Sequence, residues 1–226
     1  MQTHAETQFF EDQHKLEIEQ NLNRDMASDN EESTIKKLLG DDWQLLHPNI
    51  QQRFATETTK SICYRGTMEK VECSFFGKLF AQFTRLIANP LTPYEGKNIP
   101  MDVILHRKEG LAGVYWQRTY YYPNRTPYQV TSVKRADHFG NLTECVGAGF
   151  GMVLNVSTQN GNLHFRSTRY FWEIGKFRIP LPHILTPGET LVMHEDLGNG
   201  FFRFTISMNH IWLGTTFYQT GIFKEI

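Results

Sequence analysis

Turn signals recur roughly every ten residues from Pro100 to the C-terminus, and this spacing limits the fold more than any other feature of the chain. Lys108-Glu109-Gly110, the run 123–127, the run 137–141, Asn160-Gly161, Gly175-Lys176 and Gly198-Asn199-Gly200 each separate two stretches that read as strands. The strands fall at 101–107, 111–123, 128–136, 141–146, 150–158, 163–174, 177–182, 190–197, 201–209 and 215–224. Glycine leads the Gly175-Lys176 pair, as a two-residue hairpin loop prefers. No strand is followed by a helix and then another strand in this region, so the pairing is antiparallel. About ten short strands at even spacing predict a mainly β fold, either a barrel or a strongly curved sheet.

The segment before Pro100 supplies the helices. Ile35, Leu38 and Leu39 give a short amphipathic turn that Gly40 can stop, and Pro48 opens a second helix carrying Ile50 and Phe54. Residues 62–73 read as extended. One long amphipathic helix follows at 75–89, with Phe75, Phe76, Leu79, Phe80, Phe83, Leu86 and Ile87 on one stripe. Ser74 can cap it, and Asn89-Pro90 ends it. The expected place of that stripe is the core; a mobile lid and a membrane-surface helix are the alternatives.

Charge divides the chain. Residues 1–33 hold nine acidic and two basic side chains, a balance of −7, while the whole chain stands at −1. The remainder therefore carries +6. We read 1–33 as an acidic, disordered tail and 34–226 as a single β-rich domain. The basic excess is dispersed over many strands, so nucleic acid is not an expected partner. Cys63, Cys73 and Cys145 are too few for a disulfide framework, and no histidine or cysteine spacing suggests a metal. No secretory leader and no run of about 18 apolar residues is present, so no transmembrane segment is expected and the reading is cytoplasmic. No nucleotide-binding loop or nucleophile elbow occurs, and no cofactor is implied.

The chemistry lies in misplaced charge. In 111–123, Val114, Trp116, Arg118 and Tyr120 are two apart and share a face. If Trp116 points inward, so does Arg118, and a buried guanidinium needs a partner. The same alternation puts Glu144 beside Leu142 and Val146, and Glu195 beside Leu191, Met193 and Leu197. We therefore expect Arg118 to pair with Glu144 or Glu195 inside the sheet, in the two-point geometry a guanidinium favours. This is either a structural ion pair or the polar anchor of a cavity. In the second case Arg118 holds a carboxylate or phosphate while Trp116, Phe150 and Tyr218 line the site.

The run LLHPNIQQRF at 45–54, YRGTM around Gly66, Trp116-x-Arg118-x-Tyr120, Glu144 with Gly147, Gly175 with Pro180-Leu181-Pro182, Glu195, GNGFFRF, Gly214, and Tyr218 with Gly221 come in a fixed order. This series resembles the bacterial domain-of-unknown-function family 4166, over residues about 45–226. The resemblance implies no activity. It does imply that such domains occur alone or joined to a nicotinamide-dependent reductase-like domain, which makes a reductase an expected partner. Trp116, Arg118, Glu144 and Glu195 all fall on its motif positions.

These residues support three functions. The first is a module binding a hydrophobic or amphipathic small molecule in a barrel cavity. The second is an enzyme, or a subunit of a reductase, with Glu144 or Glu195 as acid/base at a raised pKa. The third is a protein-interaction domain with a packed core.

Overall fold

The computed structural model describes residues 33–55, 61–85, 91–175 and 177–226. Eleven antiparallel strands form it: β1 (Ile62–Cys73), β2 (Gly96–Lys108), β3 (Leu111–Tyr120), β4 (Tyr128–Ala136), β5 (Leu142–Gly147), β6 (Phe150–Gln159), β7 (Asn162–Ile174), β8 (Phe177–Leu181), β9 (Glu189–Gly198), β10 (Phe201–His210) and β11 (Gly214–Glu225). Neighbours in sequence pair throughout, with two exceptions. β1 pairs with β11, from Tyr64 opposite Glu225 to Cys73 opposite Phe217. β7 pairs with both β8 and β9 along one edge. Ten strands thus close into a barrel, and β8 is an extra strand on β7. Closure leaves the barrel itself with no open edge.

Three short helical elements plug one end. Helix α1 (Thr34–Leu39) starts at Ser33, whose hydroxyl accepts from the Lys36 amide, and stops at Gly40, held at φ 53°. A 3-10 turn (Gly40–Leu45) and helix α2 (Pro48–Phe54) follow. Their apolar side chains Leu39, Trp43, Leu46, Ile50 and Phe54 join the barrel core. Two polar ties fix this plug. The His47 amide donates to the Gly161 carbonyl at 2.9 Å, and Asn49 donates to the Asp196 carboxylate at 3.1 Å. The acidic-tail reading of 1–33 lies outside the described residues except at Ser33, which is buried as a helix cap.

Helix α3 (Phe75–Arg85) sits at the other end, and its packing reverses the expected one. Gly77 and Ala81 are buried, whereas Phe75, Phe76 and Leu79 are exposed. A Cβ at Gly77 would overlap the Thr216 carbonyl oxygen and lie 3.0 Å from the Cys73 sulfur. Only the small face can approach β11 that closely, so Phe75, Phe76 and Leu79 turn outward. The rest of the expected helix, 86–89, is outside the described residues. Ile211 and Trp212, in the turn between β10 and β11, are exposed at this same end, and Ile174, Phe177 and Leu185 are exposed around β8. No described helix is long and apolar enough to cross a membrane.

Candidate functional site

The interior charges gather on three consecutive strands. In β3, Trp116, Arg118 and Tyr120 are buried, so the alternation read from the sequence is the observed one. Register then builds the cluster. Ser132 of β4 lies opposite Trp116, Lys134 lies opposite Val114, and across the next ladder Lys134 lies opposite Glu144 of β5. The Arg118 Nη2 donates to Glu144 Oε1 at 3.3 Å and to Ser132 Oγ at 3.2 Å. The Ser132 hydroxyl donates to the same Oε1 at 2.7 Å. Lys134 Nζ lies 3.1 Å from Glu144 Oε2, and 4.4 Å from the centroid of the Trp116 ring. One carboxylate therefore serves two buried cations, and the expected two-point Arg–Glu fork is not formed. Arg118 uses a single nitrogen, because the second oxygen belongs to Lys134.

The Glu144 pKa runs opposite to the sequence expectation. Burial alone raises it, but the adjacent Lys134 and Arg118 charges and the Ser132 hydroxyl outweigh burial and hold it at about 2. Glu144 is thus a fixed anion rather than a proton donor at neutral pH. Burial pushes the Lys134 ammonium down, against the opposing pull of Glu144.

Lys134 was not found from the sequence. β4 carries Ser132 and Lys134 on its inner face and Thr131 and Arg135 on its outer face, so its alternation shows no polarity difference. His194 was missed as well. It is 2% exposed and sits among Phe54, Phe165, Phe202, Phe204 and Trp116. Its Nδ1 has no hydrogen-bond partner among the described residues. Burial, reinforced by Arg53, Lys134 and Arg118, pushes its pKa well below the ordinary value.

His194 occupies the inward position that the sequence reading gave to Glu195. Thr190, Val192 and His194 face the core, and Glu195 is half-buried on the outer face, 3.8 Å from Arg203. A register slip of one residue inverts a strand. β9 invites that slip, since Leu191 and Met193 outside are as apolar as Val192 inside. Tyr218 also faces outward, under Lys70 at 5.8 Å, so it does not meet Trp116. Phe150 shares the parity of Met152 but stands at the first position of β6, stacked on Trp172 at 5.2 Å. Of the six expected site residues, the fold joins Trp116, Arg118 and Glu144, and separates Glu195, Tyr218 and Phe150 from them.

A cavity of about 240 Å³ opens under α1 at the plugged end. Trp116, Tyr64, Leu105, Val114 and Leu142 give it apolar walls. Five basic residues, Lys37, Arg53, Arg107, Lys134 and Arg135, line it, and no acidic residue does among those described. A smaller apolar void of about 20 Å³ lies deeper, between Arg118, His194 and three phenylalanines. Arg53, Tyr64 and Trp116 border both spaces. Arg118 is therefore behind Trp116, and Lys134 is the member of the ion cluster that lines the larger cavity. Arg53 stacks on Phe202 at 3.9 Å, and its buried Nη1 has no hydrogen-bond partner among the described residues.

The family described as a domain of unknown function, DUF4166, matches residues 46–223. The chain belongs to the DUF4166 family. The match takes in Arg53, Trp116, Arg118, Lys134 and Glu144, and starts after α1. The uncharacterised protein YndH of Bacillus subtilis (strain 168) is 23% identical over 190 residues, covering 81% of this chain and 92% of that protein. No solved structure matches this DUF4166 chain.

The acid limb of stability follows from the two buried titrating groups. His194 is neutral when folded but takes a proton when unfolded below pH about 6.5, so stability falls as pH drops through that value. The Glu144 contribution is complete above its ordinary 4.5 and is lost as pH falls through about 2. The latter amounts to about 3 kcal/mol. Urea midpoints should therefore decline between pH 8 and pH 5, and again below pH 4.5. His194→Phe should make the first decline shallower and leave the second unchanged, the remainder belonging to His164, which burial and Arg166 also push down. An unchanged first decline in that variant would rule out His194 as its cause.

Proposed function

We propose that this DUF4166 protein binds a compact, anionic, partly apolar small molecule in the cavity under α1. The observation that carries the reading is the lining: Lys37, Arg53, Arg107 and Lys134, no acidic residue among those described, and an indole and a phenol as walls. Pockets for drug-sized ligands start at about 300 Å³. The cavity, at about 240 Å³, suits an aromatic or short-chain acid better than a long acyl chain. The strand interiors are filled by the core, so the ligand lies at one barrel mouth rather than along the axis.

The test is a titration with 8-anilinonaphthalene-1-sulfonate, an amphipathic aromatic anion, displaced by 4-methylbenzoate. Saturable binding that weakens with salt is expected. Arg53→Gln, which removes the half-buried guanidinium at the cavity wall, should raise Kd about tenfold, equivalent to losing a charge-assisted hydrogen bond of ~1.5 kcal/mol. Binding that is insensitive to both salt and Arg53→Gln would count against an anion site.

A protein-interaction role is the second reading. It is favoured by the exposed Phe75, Phe76, Leu79, Ile211 and Trp212 at the end opposite the cavity, since large apolar patches mark contact surfaces.

A further inference from the structure

Lys134 has a setting unlike that of the other cavity cations. It is 7% exposed, its Nζ lies 4.4 Å from the Trp116 ring centroid and 5.7 Å from that of Phe165, and it lines the cavity. A carboxylate oxygen of Glu144 stands at 3.1 Å, and a second buried cation, Arg118, shares that carboxylate. A lysine amine becomes a nucleophile toward carbonyl carbon when it is desolvated or placed beside another cation, and Lys134 meets both conditions. A lysine kept only to neutralise Glu144 would not need to border a cavity, since Arg118 and Ser132 already engage that carboxylate.

We propose that Lys134 is a covalent attachment point for a small aldehyde or ketone, which it holds in the cavity as an imine. The inference rests on the ligand site proposed above and adds a carbonyl group to its chemistry. The nitrogen lone pair forms the C–N bond while the C=O π pair moves to oxygen. The oxygen then leaves as water with two of the three ammonium protons, and the third stays on the iminium nitrogen. The proton shed before attack and delivered to the departing oxygen is carried by solvent water entering the cavity, while Glu144 Oε2, 3.1 Å away, stays ionised. No oxidant, reductant or further reactant enters. The charge on nitrogen is +1 before and after, so the pairing with Glu144 is kept throughout. That matters in an interior where an unpaired ion costs several kcal/mol. Burial also lowers the Lys134 pKa, with Arg118 acting the same way and Glu144 against it, which enlarges the fraction of free amine at neutral pH.

The test uses 4-formylbenzoate, which joins a carbonyl to the aromatic acid character of the cavity, in the presence of sodium cyanoborohydride. Hydride reduces any iminium to a stable secondary amine, which peptide mass mapping locates. The expected result is labelling of Lys134 on the order of tenfold faster than of the exposed Lys97 and Lys224, as activation by desolvation requires. Excess 4-methylbenzoate, which lacks the carbonyl, should slow labelling at Lys134 and leave the exposed lysines unaffected. Lys134→Arg keeps the charge and should abolish the site; its thermal midpoint checks that it folds. The wild-type map decides the matter even if that variant does not fold. Labelling of Lys134 no faster than of Lys97 and Lys224 overturns the inference. If 4-methylbenzoate still binds by calorimetry in that case, the anion site survives without the covalent step; if it does not bind, both fail.

Discussion

Glu144→Ala is expected to bring the protein close to unfolding at room temperature. The substitution leaves Arg118 and Lys134, 6% and 7% exposed, facing one another with no anion between them. Removing one partner of a buried ion pair costs ~3–5 kcal/mol, and here two cations lose their partner at once. A domain holds only about 5–15 kcal/mol of stability in total. Chemical denaturation should show the urea midpoint falling by about half or more, on that comparison of magnitudes. Arg118→Ala should cost less, about 1–3 kcal/mol, because Lys134 and Ser132 still satisfy both Glu144 oxygens. Removing opposite charges together, as Glu144→Gln with Lys134→Met, should recover much of the Glu144→Ala loss. A wild-type midpoint in Glu144→Ala would mean that the carboxylate is not buried between the cations at all.

The second large effect is expected at Gly66 in β1, directly opposite Phe223 of β11. A Cβ there would overlap the Ile222 carbonyl oxygen and sit 2.5 Å from the Phe223 ring. Both obstacles belong to the ladder that closes the barrel, so neither can move without separating the two strands. Gly66→Val should therefore destabilise the whole fold by about 3 kcal/mol or more, at the upper end of overpacking effects. Gly77→Val gives the contrast. Its obstacle is the Thr216 carbonyl under α3, so the helix should detach while the barrel stays closed. Limited proteolysis should then cut Gly77→Val near α3 only, while Gly66→Val is degraded throughout. Equal thermal midpoints for Gly66→Val and wild type would contradict the close approach of β1 and β11.

Much of this fold was legible because the turn residues are unambiguous. Gly175 adopts φ 59°, and the Gly198-Asn199-Gly200 turn joins β9 to β10 at φ 77°, 54° and 79°. Strands β3 and β5 could be faced correctly because a large apolar residue brackets each charge: Trp116 and Tyr120 around Arg118, Leu142 before Glu144. The failures share a cause. β9 has apolar residues on both faces and β4 has polar residues on both, so periodicity cannot orient either, and His194 and Lys134 were lost with them. In α3 the pattern was clear but misleading. A stripe of phenylalanine and leucine normally marks the buried face, and here the small residues Gly77 and Ala81 take that place because the helix must come close to β11. No strand-by-strand reading could locate the cavity, because it forms where α1 and α2 meet the ends of β1 to β5.

The closure of β1 on β11 also governs when the protein can fold. These are the first and the last of the described strands, at residues 62–73 and 214–225, yet they share a ladder running from Tyr64 to Cys73. Contacts between residues so distant in sequence carry a large loop-closure cost and slow folding, which places this topology among folders on the ms–s scale. During synthesis β1 emerges early and has β2 on one side only. Its other edge stays unpaired until Gly214 to Glu225 have left the ribosome, so nascent chains pass through a stage in which one edge of a nearly complete sheet is open to other chains.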